Sequence, residues 1–234
     1  MYSIMEREFD AYFHSPIGYI FLTAFYFFSG LVFFTGNLMS QNANLGGVFG
    51  WLFTLVLFIV PVLTMRLLSE DRKNKTDQAL LTAPIRISEI VLGKFLAATL
   101  VFVMALTVTL VYALVIALFT TPNWTAIIGN YVSTLLLGMS LISIGMFISS
   151  MTENQVIAAV GGFGVSLLLM LIDMFRSIIT DPLLRAIVTS ISFNDRYSSF
   201  SLGIFEYANV VFFLSVCAVF LFLTVRVLEK RRWG

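Results

Sequence analysis

The sequence predicts an all-α fold: a polytopic membrane bundle of six transmembrane helices, preceded by an amphipathic helix on the membrane surface. Three observations predict it. The 234 residues are 59% hydrophobic and 12% charged, with a mean hydropathy of +0.96, whereas ordinary soluble domains carry about 25% charged residues. Apolar runs of about 20 residues, enough for a helix to cross about 30 Å of hydrocarbon, recur six times. Lys and Arg gather in alternate loops, the pattern that orients membrane proteins. At this length one integral membrane domain, residues 1–234, accounts for the chain. A formal net charge of +1 provides no basic face for nucleic acid.

The first element, residues 1–15, places Met5, Phe9, Tyr12 and Phe13 at helical spacing, with Glu6, Arg7, Glu8 and Asp10 on the other faces. It reads as an interfacial helix lying along membrane lipid. Its mixed charge is unlike a cleavable signal, and Pro16 suits the first turn of the next span. Spans are expected near Ile17–Gly36, Gly47–Met65, Phe95–Phe119, Asn130–Ser149, Gln155–Phe175 and Tyr207–Val227. Six crossings put both termini on one side. Of the fourteen Lys and Arg residues only Arg176, Arg185 and Arg196 fall on the other side, so both termini are expected in the cytoplasm.

The cytoplasmic loop, residues 66–94, holds much of that charge. Thr76 is a suitable N-cap, Ala79, Leu80, Leu81 and Ala83 are helix formers, and Pro84 stops the helix. Leu80 and Leu81 would be exposed unless something covers them. Flanked by Arg72, Lys73, Lys75 and Arg86, this is either a docking helix or a charged loop that anchors its spans at the headgroups.

The extracytoplasmic segment, residues 176–206, predicts a short outer-leaflet helix between the last two spans. Asp181 caps it, Pro182 opens it, and Leu183, Leu184, Ile187, Val188 and Ile191 share one face. Asn194, Asp195, Ser198 and Ser199 are expected to break it before the last span.

No catalytic constellation is visible. His14 and Cys217 are the sole residues of their kinds, too few for a metal cluster, and His14 reads as interfacial. Asp173 has Arg176 within reach at i+3. An intramembrane enzyme would need a nucleophile with its base, paired acids or a metal at membrane depth. Ala158, Gly162 and Ser166 form a small-residue stripe that lets another helix approach closely, between two chains or within one. Thr99, Thr107, Ser133, Ser140 and Ser143 could line a path, but such hydroxyls usually bond their own helix backbone. Phe25, Phe28 and Phe33 suit lipid-facing or packing roles better than substrate contact. The substrate-binding residues are not legible.

The run from Glu70 through "KTDQALLTAP" to "EIVLGK" resembles the first cytoplasmic loop of ABC-2-type transporter permeases. "REFDAYFHSPIGYI", "SSMTENQVIAA" and "FLFLTVRVLEKRRW" resemble the same family in the same order, most of all its gliding-motility-associated branch. One departure is Lys75, where many relatives have Gly. The resemblance implies a permease subunit of an ATP-driven exporter in the bacterial cytoplasmic membrane, without a catalytic site of its own. It implies a helix from Thr76 to Pro84 coupled to a cytoplasmic ABC ATPase dimer, with Leu80 and Leu81 as apolar contacts and Asp77 and Gln78 as polar ones. Arg86, Glu153, Asn154 and Gln155 belong to the same implied contact. ATP and Mg would be bound in that partner, since this chain has no phosphate-binding loop motif and no cofactor of its own. A second permease chain is implied, either a homodimer packed through Ala158, Gly162 and Ser166 or a heteromer with a gliding-type membrane subunit bearing a large outer domain. A non-transporting scaffold that couples an ATPase to an extracytoplasmic machine is the alternative.

Overall fold

The computed structural model describes residues 2–76, 86–178, 181, 188–201 and 206–233. Helix α1, Tyr2–His14, buries Ile4 and Tyr12. It ends at Ser15, whose backbone is extended, and Pro16 opens α2, Pro16–Phe33, where a missing N–H costs nothing. A π-helical turn, Phe34–Leu38, finishes that span. Then come α3, Gly46–Thr64, the single-turn α4, Ser69–Lys73, and α5, Ile87–Ala117. The chain continues with α6, Trp124–Met151, α7, Gln155–Ile178, α8, Phe193–Ser201, and α9, Tyr207–Trp233. Among the described residues, six helices are long and apolar enough to cross a membrane, and they match the six expected spans.

Two boundaries differ from expectation. Helix α5 starts at Ile87 rather than near Phe95, so Gly93 and Lys94 are inside it rather than closing the loop. Ile87, Ile90 and Val91 are buried at i, i+3 and i+4, and this apolar face winds the polar run into helix. At 31 residues the helix is about 46 Å long, so it extends beyond the hydrocarbon. The second difference lies at α8. Asn194, Asp195, Ser198 and Ser199 do not break a helix there; they are part of one. The break falls one step earlier, at Ser192, whose hydroxyl accepts the Asp195 N–H at 3.2 Å and caps α8. Phe193, Tyr197 and Phe200 are buried on its other face. Of the expected outer-leaflet helix, residues 182–187 lie outside the described residues.

Helix α6 is the axis of the bundle and packs against α3, α5, α7, α8 and α9. Its most apolar stretch is 72% buried, against 17% for α9. Close approach needs glycine at two of its contacts. A Cβ at Gly138 would fall 2.2 Å from Phe102, and one at Gly145 2.2 Å from Thr64. Hydroxyls add interhelical bonds that lipid cannot replace. Tyr197 donates to the Phe49 carbonyl at 2.7 Å and meets Thr134 at 2.9 Å, Ser140 donates to the Phe213 carbonyl, and Tyr26 donates to that of Met104.

Candidate functional site: the charged end of the bundle

Helix α1, the end of α9 and most of the described ionic side chains meet at one end. Tyr12 seats α1 by donating from its phenol to the Leu63 carbonyl at 3.0 Å, and burial pushes that phenol's pKa up. The Arg66 guanidinium covers its ring at 5.2 Å, pairs with Glu70 at 2.8 Å and donates to the Ser15 hydroxyl. One turn before Tyr12 in α1, Glu8 faces Lys94. The Lys94 ammonium lies 2.8 Å from Glu8 and 2.8 Å from Asp71, with its side chain 2% exposed. Burial pushes the Glu8 carboxyl up, but Lys94 and Arg7 outweigh it and hold the carboxyl below its ordinary range. A cleft of about 470 Å³ opens beside this cluster, lined by residues of α1, α4 and α5 with Arg66 and Thr76.

The loop leaves α3 on a fixed path. Ser149, from α6, accepts the Leu68 and Ser69 N–H groups at 3.1 and 3.0 Å and donates to the Met65 carbonyl. These bonds satisfy the Leu68 and Ser69 N–H groups between α3 and α4, and the Met65 carbonyl accepts from the Ser69 hydroxyl as well. Helix α4 then ends through Lys75, which adopts φ 57°, the left-handed conformation usual one residue past a helix. The departure at Lys75 thus falls on a backbone that favours Gly.

Of the expected coupling residues, Asp77, Gln78, Leu80, Leu81 and Pro84 lie outside the described residues. Thr76 donates to the Asp71 carboxylate at 3.1 Å. Arg86 is exposed and sits at the N-cap position of α5. The turn between α6 and α7 comes to the same end, where Glu153 pairs with Arg72 at 2.7 Å. Asn154 caps α7 by accepting the Val156 N–H at 2.9 Å, and Gln155 opens that helix. At the last span, Arg231 donates to the Ser150 carbonyl.

A family model described as ABC-2 family transporter protein matches residues 3–233. The chain belongs to the ABC-2 transporter family. No curated protein matches it. In this ABC-2 transporter the small-residue stripe makes contacts within the chain. A Cβ on Gly162 would stand 2.9 Å from Pro61 of α3, Ser166 donates to the Leu57 carbonyl at 2.6 Å, and Ala158 is buried. The stripe lets α7 close on α3.

The hydroxyls considered for a path bond back to their own helices, Thr99 to Phe95, Thr107 to Val103, Ser133 to Asn130 and Ser143 to Ser140, while Ser140 is shared between Leu136 of its own helix and Phe213 of α9. Phe25 and Phe33 are packing residues, against Phe102 and Tyr112, and His14 bonds the Asp10 carbonyl at the end of α1. Asp173 accepts the Ser192 hydroxyl at 2.6 Å, while the Arg176 side chain lies outside the described residues. No group of three or more His, Cys, Asp or Glu among the described residues is placed to hold a metal. Sequence reading misses Lys94, Glu8 and Asp71 as a unit. The available signal is a lysine at helical spacing from buried Ile87, Ile90 and Val91, which puts Lys94 on the inward face of α5.

Proposed function

We propose that the chain is the permease subunit of an ATP-driven exporter, coupled at its charged end to separate cytoplasmic ATPase subunits. The observation that supports this best is the meeting of α1, the start of the first loop and the α6–α7 turn on one face, through Lys94 and the Arg72–Glu153 pair, in a chain of the ABC-2 family. In this reading that face and both termini are cytoplasmic, in a bacterial plasma membrane. Thr76 to Pro84 docks on the ATPase, with Leu80 and Leu81 as its apolar contacts, and Arg86, Glu153, Asn154 and Gln155 lie beside it. ATP and Mg are bound and ATP is hydrolysed in the partner, with no catalytic site in this chain. Pairing with a second permease, of this kind or of the gliding-motility branch, is part of the reading.

The test is purification from native membranes with ATP hydrolysis assayed in the eluate. Each fully covered leucine contributes about 1.5 to 3 kcal/mol, and every 1.4 kcal/mol is about tenfold in affinity. The Leu80→Asp/Leu81→Asp variant is therefore expected to lose the ATPase at unchanged membrane expression. Retention by that variant would remove the docking assignment. Stimulation of hydrolysis by a transported substrate in liposomes separates an exporter from a scaffold.

A further inference from the structure

We propose that Lys94 is the pin that holds α1, the first loop and the third span together, so that a load on the loop reaches α5 and α1 instead of being absorbed in the loop. This rests on reading the loop as the ATPase contact.

The links that leave the loop differ in kind. An ammonium removed from water is costly unless charged partners surround it, and a buried pair that loses one partner leaves the other charge uncompensated. Lys94, 2% exposed, satisfies this with carboxylates from two other elements, Glu8 at 14% and Asp71 at 18% exposure. The joint therefore resists opening on either side. A second ion pair from the loop to a different element, Arg72–Glu153, has its carboxylate 65% exposed. Such a pair is hydrated and screened by salt, and it contributes little. Ser149 fixes only the start of the loop, at Leu68 and Ser69.

The path to Lys94 is short. Thr76, the first residue of the proposed docking helix, donates to Oδ1 of Asp71, and Oδ2 of the same carboxylate contacts Lys94. A displacement at Thr76 thus arrives at α5 through one side chain. Around Lys94, Ile87, Ile90, Val91 and Phe95 are buried, so this end of α5 is seated in the bundle and a pull on the ammonium acts on the helix as a body. Glu8 carries the same displacement into α1.

The test separates a pin from a packing residue. Nitroxide labels are placed at exposed Lys73 in the loop, Leu92 in α5 and Asp10 in α1, with the native Cys217 replaced by Ala. Distance distributions are measured by electron paramagnetic resonance on the full chain in nanodiscs. Asp71→Asn is expected to broaden the Lys73-to-Leu92 distribution and leave Asp10-to-Leu92 narrow, and Glu8→Gln to do the converse. The neutral set Lys94→Met/Glu8→Gln/Asp71→Asn leaves no charge buried without a partner, so it is expected to keep the wild-type unfolding temperature while both distributions broaden. Narrow distributions in that variant would overturn the proposal, because a merely packed Lys94 would be replaced without loss. If the triple variant does not fold, the single variants decide: an unchanged Lys73-to-Leu92 distribution in Asp71→Asn overturns it. Because the measurement uses the free chain, its failure is distinct from loss or retention of an ATPase.

Discussion

Each end of this transporter holds a short helix against the bundle, by opposite means. At the charged end α1 is held by ionic contacts around Lys94, by the Tyr12 phenol and by a buried Ile4. At the other end α8 is held by Phe193, Tyr197 and Phe200, all buried, and by the neutral hydroxyl of Tyr197 between Phe49 and Thr134. An apolar plug resists through volume, whereas an ionic joint resists through the cost of leaving a charge alone. The two ends should therefore fail under different perturbations. Loss of volume should matter most at α8, and loss of charge balance at α1.

The largest effect is expected at α8. Tyr197→Ala removes a fully buried ring and leaves a cavity, at a cost of about 3 to 5 kcal/mol, whereas Tyr197→Phe keeps the ring and loses the hydroxyl bonds, at a cost of about 1 kcal/mol. Thermal unfolding in detergent measures both. A Phe variant as damaging as the Ala variant would mean that α8 is held by its hydroxyl, and the contrast between the ends would disappear.

Next in size is Lys94→Met, which preserves most of the volume, takes the shared cation from Asp71 and leaves Glu8 with the more exposed Arg7 alone. Breaking a buried pair by removing one partner costs about 3 to 5 kcal/mol; partial exposure of both carboxylates puts this case at the low end, about 3 kcal/mol. Adding Glu8→Gln and Asp71→Asn should return most of it in the same unfolding assay. If the neutral set remained as unstable as Lys94→Met alone, the joint would depend on shape, like α8.

Acid should act on the Glu8 contact. The Glu8 carboxyl is held below its ordinary range in the folded chain, so its contribution is complete above the ordinary carboxylate value and is lost as pH falls through the lowered one. The difference in unfolding temperature between wild type and Glu8→Gln should thus be present at pH 7 and close in acid. The difference between wild type and Tyr197→Phe should not change over that range.

The contrast between the ends also explains why some elements are legible in the sequence and others are not. The six spans are legible because about 20 apolar residues in a row have few alternatives in a chain that cannot leave backbone groups unpaired in lipid. Helix α1 is legible from its face of Phe9, Tyr12 and Phe13. Helix α8 is not, since Asn194, Asp195, Ser198 and Ser199 mask the buried Phe193, Tyr197 and Phe200, and Ser192 acts as a cap where the composition suggests a break. The stripe of Ala158, Gly162 and Ser166 is visible as a packing face, but periodicity does not name the partner, which is Pro61 and Leu57 of the same chain. Lys94 reads as loop because a charge commonly marks the end of a span, yet one charge with two opposite partners can be placed inside a helix.

The smallest effect compares two strained residues, one at each end. Among non-glycine residues Gln41 has φ 51° and Lys75 φ 57°, and a left-handed conformation costs an L-residue about 1 kcal/mol or more. Glycine removes that cost but adds freedom to the unfolded chain worth roughly 0.5–1 kcal/mol, so the net change at either site should be within about 1 kcal/mol. The two sites lead to different neighbours. Lys75 comes directly after α4, where its N–H bonds the Arg72 carbonyl at 3.1 Å, and it leads into Thr76, Asp71 and the joint at Lys94. Gln41 lies in the connection at the opposite end, where its N–H reaches the Leu38 carbonyl at only 3.4 Å. Lys75→Gly is therefore expected to stabilise slightly and to leave the Lys73-to-Leu92 distribution narrow, because the helix end it relaxes is already in place. Gln41→Gly should change unfolding by less, its turn being held also by Asn37, which donates to the Asn42 and Asn44 carbonyls at 2.7 and 3.1 Å. Destabilisation by Lys75→Gly would show instead that the lysine side chain makes a contact worth more than the strain it carries, and that the departure from glycine at this position serves the loop.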